Sequence, residues 1–327
     1  MKETPILVTG IHRSGSTFLG KMLTLNRGIA YLQEPFNRYY GLNIIDARFK
    51  YLTEQNTPAS FREAIENLIN LKKATYNITS VTENEKVIVT RTELMGEMMH
   101  EATLKDLPKY AGKLIFRTEG QLQFEIAKYN PFVRRILLKD PEACFASRFL
   151  HEHYDMSVVM LIRHPLSFAA SLKRVGWRFD FNNFLQQPQL MEDYLEEFRA
   201  EMEELNKDST VIEEAGMLWN CVYRVVADML RRHPDYIAVR HRQLAQEPVE
   251  TIKNLYQQLG LSFTKKVENT IIDHTSSKNP GQAEKDRVHH LKRNSAKIPD
   301  NWKKILTNEE ADYIRKKTQK IADIFYN

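Results

Sequence analysis

With 327 residues, 42% hydrophobic and 27% charged side chains, the chain has the composition of a soluble globular protein and is long enough to bury a substantial core, which excludes fibrous and disordered classes. The 47 Lys and Arg against 42 Asp and Glu leave a net charge of +5, which suits anionic ligands and is too small to argue for nucleic acid as a partner. Cys144 and Cys221 lie in apolar contexts without metal-ligand spacing, so both read as core residues of a reducing compartment rather than as a disulfide or zinc site.

The first element is a strand, "PILVTG" at 5–10, entered without the apolar segment of roughly 7 to 15 residues that marks a secretion signal. No run approaches about 18 apolar residues either. The expectation is a cytoplasmic protein without a transmembrane segment, with peripheral attachment to a membrane left open. After the strand comes "GIHRSGST" and a helical run at 16–26. Gly10, Gly15 and Thr17 fit the phosphate-loop pattern G-x-x-x-x-G-K-[ST], but Ser16 stands where the lysine belongs. Three of the 12 glycines fall between positions 10 and 20, where they let the backbone turn tightly and aim consecutive N–H groups at an anion. Ser14, Ser16 and Thr17 add hydroxyl donors, and Arg13 supplies inside the loop the fixed charge that the missing lysine would have carried. No Asp-terminated strand for magnesium stands out, so charge compensation is expected from protein groups alone, with no metal.

Next, "YLQEPFN" places Glu34 at the end of a second strand, on the same edge as the phosphate loop. A carboxylate there can take a proton from an attacking hydroxyl, although an ordinary surface or helix-capping glutamate fits the same pattern. Beside Arg13 it would stay ionised. Residues 41–130 carry helix patterns at 60–73 and 93–106 and the strand-like runs "KVIVTR" and "KLIFR". Their apolar continuity is weaker, so this stretch reads as an insertion that shapes a substrate cleft. The strand "RRILLKD" then ends in Lys139 and Asp140, followed by a helix at 141–152. Lys139 suits a transferred anionic group, and the pair equally suits a helix cap.

In "VVMLIRHPLSFAASL" a strand ends at Arg163, Pro165 opens a helix, and Ser171 lies two turns on. Together they can grip a second phosphate; alone, a structural arginine explains them as well. Helices at 190–207, 213–232, 248–259 and 308–324 and the strand "YIAVRH" complete an α/β alternation that implies a parallel sheet wrapped by helices. No repeat or linker divides it, so 1–327 reads as one domain. Phe36, Tyr39, Tyr40, Trp177, Phe179 and Phe181 are candidates for stacking on an acceptor, and His12 and His164 flank the two phosphate motifs as hydrogen-bonding neighbours.

"GIHRSGSTFLGKML" and "LIRHPLSFAASL" resemble the 5′-phosphosulfate loop and the 3′-phosphate motif of sulfotransferases that use 3′-phosphoadenosine 5′-phosphosulfate (PAPS), with the Arg-to-Ser spacing of eight preserved. "YIAVRHRQLAQEPVETIKNLYQQLGLSF" and "KRNSAKIPDNWKKIL" are similar to the family's late strand–loop–helix and its basic segment ending in a Trp that closes over the nucleotide. The resemblance covers both ends and the middle, leaving roughly 41–130 outside. It implies a P-loop-like α/β fold with a central parallel sheet, flanking helices and helical insertions. PAPS would be the co-substrate and 3′-phosphoadenosine 5′-phosphate (PAP) the product, without metal. By that resemblance Arg13, Ser14, Gly15, Ser16, Thr17 and Phe18 hold the 5′-phosphosulfate, and Arg163 and Ser171 the 3′-phosphate. Arg293 and Ser295 contact the 3′ side, and Glu34, Arg13 and Lys139 carry the chemistry. Arg242 and Gln243 depart from the acidic pair of many relatives. The R-[ST]-G-[ST]-[ST]-F form and "YLQEPFN" are more like the branch that sulfates carbohydrates, so the expected acceptor is a carbohydrate or glycoconjugate hydroxyl. A small-molecule, lipid or polyketide hydroxyl is the alternative. A P-loop kinase and a non-catalytic nucleotide-binding protein are the remaining rivals.

Overall fold

The computed structural model describes residues 3–77, 119–280 and 292–326. The expected helix at 93–106 and the strands "KVIVTR" and "KLIFR" lie outside them. Three of the strands expected from apolar runs form as β1 (Ile6–Gly10), β3 (Arg135–Lys139) and β4 (Ser157–Ile162). All but the first residue of β4 is buried in these three, as a parallel strand covered on both faces requires. β2 (Ile29–Gln33) and β5 (Ile237–Arg240) are the outer strands of a five-stranded parallel sheet in the order β2-β3-β1-β4-β5, and their burial is correspondingly partial.

The described helices of eight residues or more are α1 (Ser16–Leu23), α2 (Ala59–Ile69), α3 (Glu119–Tyr129), α4 (Ser147–Tyr154), α5 (Pro165–Val175), α6 (Val211–Arg232), α7 (Pro248–Gln258), α8 (Lys265–Thr275) and α9 (Asn308–Tyr326). Because successive strand residues face opposite ways, the sheet feeds two cores. Ile6, Val8, Leu137, Val159 and Leu161 pack against Leu19 and Leu23 of α1, Ile252 and Leu255 of α7 and Ile271 of α8. Leu7, Ile136, Leu138, Val158 and Met160 face the larger cluster built on α5, α6 and α9. The described parts of 41–130 join that larger cluster through Phe49, Phe61, Ile65, Leu68 and Phe124. α6 starts at a capping box, in which Thr210 N donates to Glu213 Oε2 at 2.7 Å and Glu213 N to Thr210 Oγ1 at 3.3 Å.

Two expected helices are broken. The run 141–152 opens as a tighter 3-10 segment, Pro141–Ala146, before α4, because the buried Asp140 carboxylate accepts from Glu142 N at 2.9 Å and Phe36 N at 2.5 Å and so sets the entry of the chain. The run 190–207 passes through a π turn at Met191–Leu195 and a 3-10 turn at Glu196–Phe198 before an α-helix at Arg199–Leu205. Its side chains are tied elsewhere, Asp193 Oδ2 accepting from Tyr51 at 2.8 Å and Tyr194 donating to Asp228 at 2.9 Å. α3, α8 and a 3-10 segment at Ser295–Lys304 were not expected from the sequence. No described helix is long and apolar enough to cross a membrane.

The register aligns the carboxyl ends of the strands. Gly10 pairs with Leu161 across β1–β4, and Gln33 with Lys139 across β2–β3. Gly10 has φ 140°, and a Cβ there would meet the Leu161 carbonyl oxygen at 2.5 Å, so backbone angle and space both demand glycine. At Gly176, φ 67°, nothing lies within 4 Å. Gly10→Ala should therefore lose at least about 3 kcal/mol in urea denaturation, and Gly176→Ala only the left-handed penalty of about 1 kcal/mol.

Candidate functional site

The segment after β1 turns back sharply. Ser14 N donates to Ile11 O at 3.2 Å, and Arg13 (φ 65°) and Gly15 (φ 94°) are left-handed. Gly15 is the N-cap of α1, and no side chain accepts from the first turn. The first N–H groups of a helix have no partner within it, and Ser16, Thr17 and Phe18 of that turn line the main cavity. Ser14 Oγ is buried and has no hydrogen-bond partner, so the turn holds a buried hydroxyl still to be satisfied.

Since β1 and β4 are neighbours, the segment after β4 runs beside this turn, and the two motifs meet directly. Arg163 donates through Nη1 to the Arg13 carbonyl and through Nη2 to Ser167 Oγ at 3.2 Å, while Arg13 Nε donates to Ser171 Oγ at 3.1 Å. The arginine is anchored from behind: its N–H donates to Tyr223 Oη at 2.6 Å and its carbonyl accepts from Trp219 Nε1 at 2.8 Å. Arg13 also lies 5.4 Å from the Trp177 ring centre, a cation–π contact. Neither guanidinium pairs with a carboxylate among the described residues. Burial first, and then Arg13, lower Arg163 to about 9; burial first, and then Arg174 and Arg293, lower Arg13 to about 10. Desolvation and a neighbouring guanidinium both work against the charge of Arg163, and an anion between it and Arg13 would relieve that.

The second pair comes from the other side of β1. Glu34 (φ 48°) continues the ladder by one bond, its N–H donating to Lys139 O at 2.8 Å. This brings the two side chains together as an ion pair between Lys139 Nζ and Glu34 Oε1, with Lys139 only 1% and Glu34 12% exposed. Glu34 Oε2 accepts from Tyr40 Oη and, at 3.4 Å, from Asn37 Nδ2. The cation on Glu34 is thus Lys139, not the expected Arg13. Of the expected cap, only Asp140 serves as one.

These groups surround one cavity of about 580 Å³. Arg13, Gly15, Ser16, Thr17, Phe18, Glu34, Lys139, Arg163, Ser171, Arg293 and Ser295 all line it; Ser14 lies behind them. Ser295 Oγ donates to Ala245 O at 2.6 Å and so tethers the C-terminal segment, whose Trp302 also lines the wall. Of the candidate aromatics Tyr39, Tyr40 and Trp177 line the cavity, whereas Phe36, Phe179 and Phe181 are packed in the core. Sequence reasoning missed Arg174, one helical turn beyond Ser171 on α5, and His241, the first residue after β5. Both were within reach of the same spacing arguments. It also missed the buried Arg48–Glu142 pair, 2.7 Å apart in the cavity wall, whose two residues carry no motif.

Residues 5–265 match the family model described as "Sulfotransferase family". The chain belongs to the sulfotransferase family. No curated protein sequence matches it. Among solved structures, the sulfotransferase domain from the curacin biosynthetic pathway is 14% identical, covering 98% of this chain and 99% of that one with a TM-score of 0.45. The corresponding domain of the Synechococcus PCC 7002 olefin synthase is 14% identical, covering 100% and 96% with a TM-score of 0.44. A mouse sulfotransferase solved with PAP is 10% identical, covering 97% and 83% with a TM-score of 0.42.

For this sulfotransferase, Lys139→Met removes the buried ammonium that pairs with Glu34 and should cost about 3–5 kcal/mol in denaturant unfolding at pH 7, with part recovered in the Glu34→Gln, Lys139→Met double variant. The imidazoles of buried His12 and half-buried His241 are held well below their ordinary value by desolvation and by nearby arginines, Arg48 first for His12 and Arg163 first for His241. Burial, then Arg242, lowers His164 to about 4. A histidine with a depressed folded pKa takes up its proton preferentially in the unfolded chain. Stability is therefore kept above about pH 6.5 and lost as the pH falls below it. Unfolding at pH 7.5, 6.5 and 5.5 should show that loss, and His241→Gln should make the acid limb shallower by up to about 1.4 kcal/mol per pH unit.

Proposed function

We propose that the chain transfers a sulfuryl group from PAPS to a hydroxyl of a compact small molecule. The observation that carries the donor half is the meeting of Arg13, Arg163, Ser171 and the α1 N-terminus in one place, with no carboxylate of the described residues on either arginine. The residues fit the donor: Ser14 Oγ lacks a partner, and the desolvated Arg13 and Arg163 crowd each other's charge. Arg13 and Ser14 to Phe18 would hold the 5′-phosphosulfate, and Arg163, Ser171, Arg293 and Ser295 the 3′-phosphate. PAPS supplies an activated sulfuryl group with a phosphate leaving group, so no metal is needed in this reading.

Glu34 acts as the general base. Paired with Lys139 and oriented by Tyr40 and Asn37, its carboxylate takes the acceptor proton as the acceptor oxygen bonds to sulfur and the bond from sulfur to the phosphate oxygen breaks. Arg13 and the first-turn N–H groups of α1 stabilise the charge that grows on the leaving phosphate. Lys139 can turn from Glu34 toward the sulfuryl oxygens once the carboxylate is protonated.

The acceptor half rests on size and lining. The cavity of about 580 Å³ is of the size class that takes small molecules, and the nucleotide and a compact acceptor share it in this reading. Tyr40, bonded to Glu34, and its neighbour Tyr39 offer rings to the acceptor, Trp177 offers one beside Arg13, and the Arg48–Glu142 pair offers polar groups. A carbohydrate remains the second reading, favoured by the same rings, which also stack on sugars.

Calorimetric titration without metal should show PAP binding in preference to ADP, weakened at least about 100-fold by Arg13→Ala or Arg163→Ala through loss of charge-assisted bonds. Glu34→Gln should keep PAP affinity and lose about 10²- to 10⁴-fold in kcat with an acceptor found by screening phenols, alcohols and monosaccharides. Preference for ADP, or unchanged turnover in Glu34→Gln, would remove the donor or the base assignment respectively.

A further inference from the structure

At the amino-terminal edge of the sheet, opposite the cavity, three groups with metal-binding atoms converge. His151 lies in the last turn of α4, His233 comes directly after α6, and Asp235 stands in the turn that enters β5. One ligand atom from each lies within 4.8 Å of the others. The imidazoles are fixed by packing: the buried Tyr236 ring stacks on His233 at 5.0 Å and 18° and meets His151 edge-on at 5.3 Å and 83°. The two histidine rings are 5.3 Å apart at 75°.

Two ring nitrogens of this cluster have no donor to match them when the imidazoles are neutral. His151 Nδ1 lies 2.9 Å from the Met156 carbonyl oxygen, which can only accept, so Nδ1 carries the proton. In a neutral ring Nε2 is then a bare lone pair, yet it faces Asp235 Oδ2 at 3.1 Å, acceptor against acceptor. His233 Nε2 is buried without a hydrogen-bond partner, 3.8 Å from Glu152 Oε1. A second proton on His151 would relieve its contact with Asp235 but would give His233 Nε2 nothing. A divalent cation among the three would stand between the His151 lone pair and the Asp235 carboxylate and take a nitrogen of His233 as a further ligand.

We propose that His151, His233 and Asp235 form a binding site for a divalent transition ion of the zinc type. Two imidazoles and a carboxylate are the ligand set such ions take, and the Met156 carbonyl fixes the His151 tautomer as an outer-sphere partner does. Ligand bonds of about 2.0–2.2 Å require the three groups to close up slightly, which the exposed Asp235 side chain allows by rotation. Glu152, now held by Arg148 at 2.9 Å, or water takes the fourth place. The ion would clip the end of α4 to the turn between α6 and β5. The six residues of β4 separate that clip from the cavity by about 17–20 Å, so it acts on stability rather than on sulfuryl transfer.

The test uses the full, untagged chain stripped by a chelator, titrated with Zn²⁺ by calorimetry and with Co²⁺ by visible absorption. The expected result is one ion per chain, the intense visible band of four-coordinate Co²⁺, and a rise in Tm with added Zn²⁺. His233→Gln and Asp235→Asn should each weaken binding by about tenfold or more. Asp235 has a 59% exposed side chain, so Asp235→Asn keeps the fold and decides the matter if the histidine variant does not. PAP affinity should be the same with and without Zn²⁺. Absence of Zn²⁺ binding, or binding undiminished in Asp235→Asn, would overturn the proposal, the latter by placing the ion elsewhere in the chain.

Discussion

The parallel pairing of β1 between β3 and β4 is the constraint on which the rest of the site depends. It ends three buried strands at one level, with Val8 opposite both Lys139 and Val159. The segments leaving these strands must then emerge side by side: the phosphate turn beside Arg163 on one flank, Glu34 beside Lys139 on the other. The pairing can be this close only because Gly10 presents no Cβ to the Leu161 carbonyl. A main-chain requirement, not a side-chain contact, thus sets the distance between the two arginine-bearing segments.

On this frame the protein holds unlike charge problems a few residues apart. The arginines around the phosphate turn are crowded and desolvated, and their lowered pKa values record the cost. Glu34 and Lys139 settle their charges on each other and leave the surrounding apolar core undisturbed. Arg13 and Glu34 both adopt left-handed backbone angles, uncommon for residues with side chains, and both are held there by ladder bonds and by the tight turn around them. Strain and crowded charge are concentrated where a ligand can relieve them, while the helices behind, with Trp219 and Tyr223 anchoring Arg163, are fully packed.

Much of the cavity was legible because its parts come at strand ends. Gly10, Arg13, Gly15 and Thr17 come straight after β1, Lys139 closes β3, and Arg163 comes straight after β4. A parallel sheet puts such positions on one edge whatever the loops do. His241, directly after β5, obeys the same rule and could have been found by it; Arg174 follows instead from the helical spacing after Ser171. The broken helices at 141–152 and 190–207 could not, because their period is helical and only bonds from distant groups, Phe36 to Asp140 and Tyr51 to Asp193, redirect them.

The sequence by itself determined the α/β alternation, the phosphate turn and the residues able to hold two anionic groups, since these rest on local spacing and on glycine. Only the tertiary structure decided which cation holds Glu34, which aromatic rings line the cavity and which fill the core, and that Arg48 meets Glu142. Those facts arise between residues far apart in the chain, where the meeting of side chains depends on sheet order and helix packing, and neither is written in the local pattern.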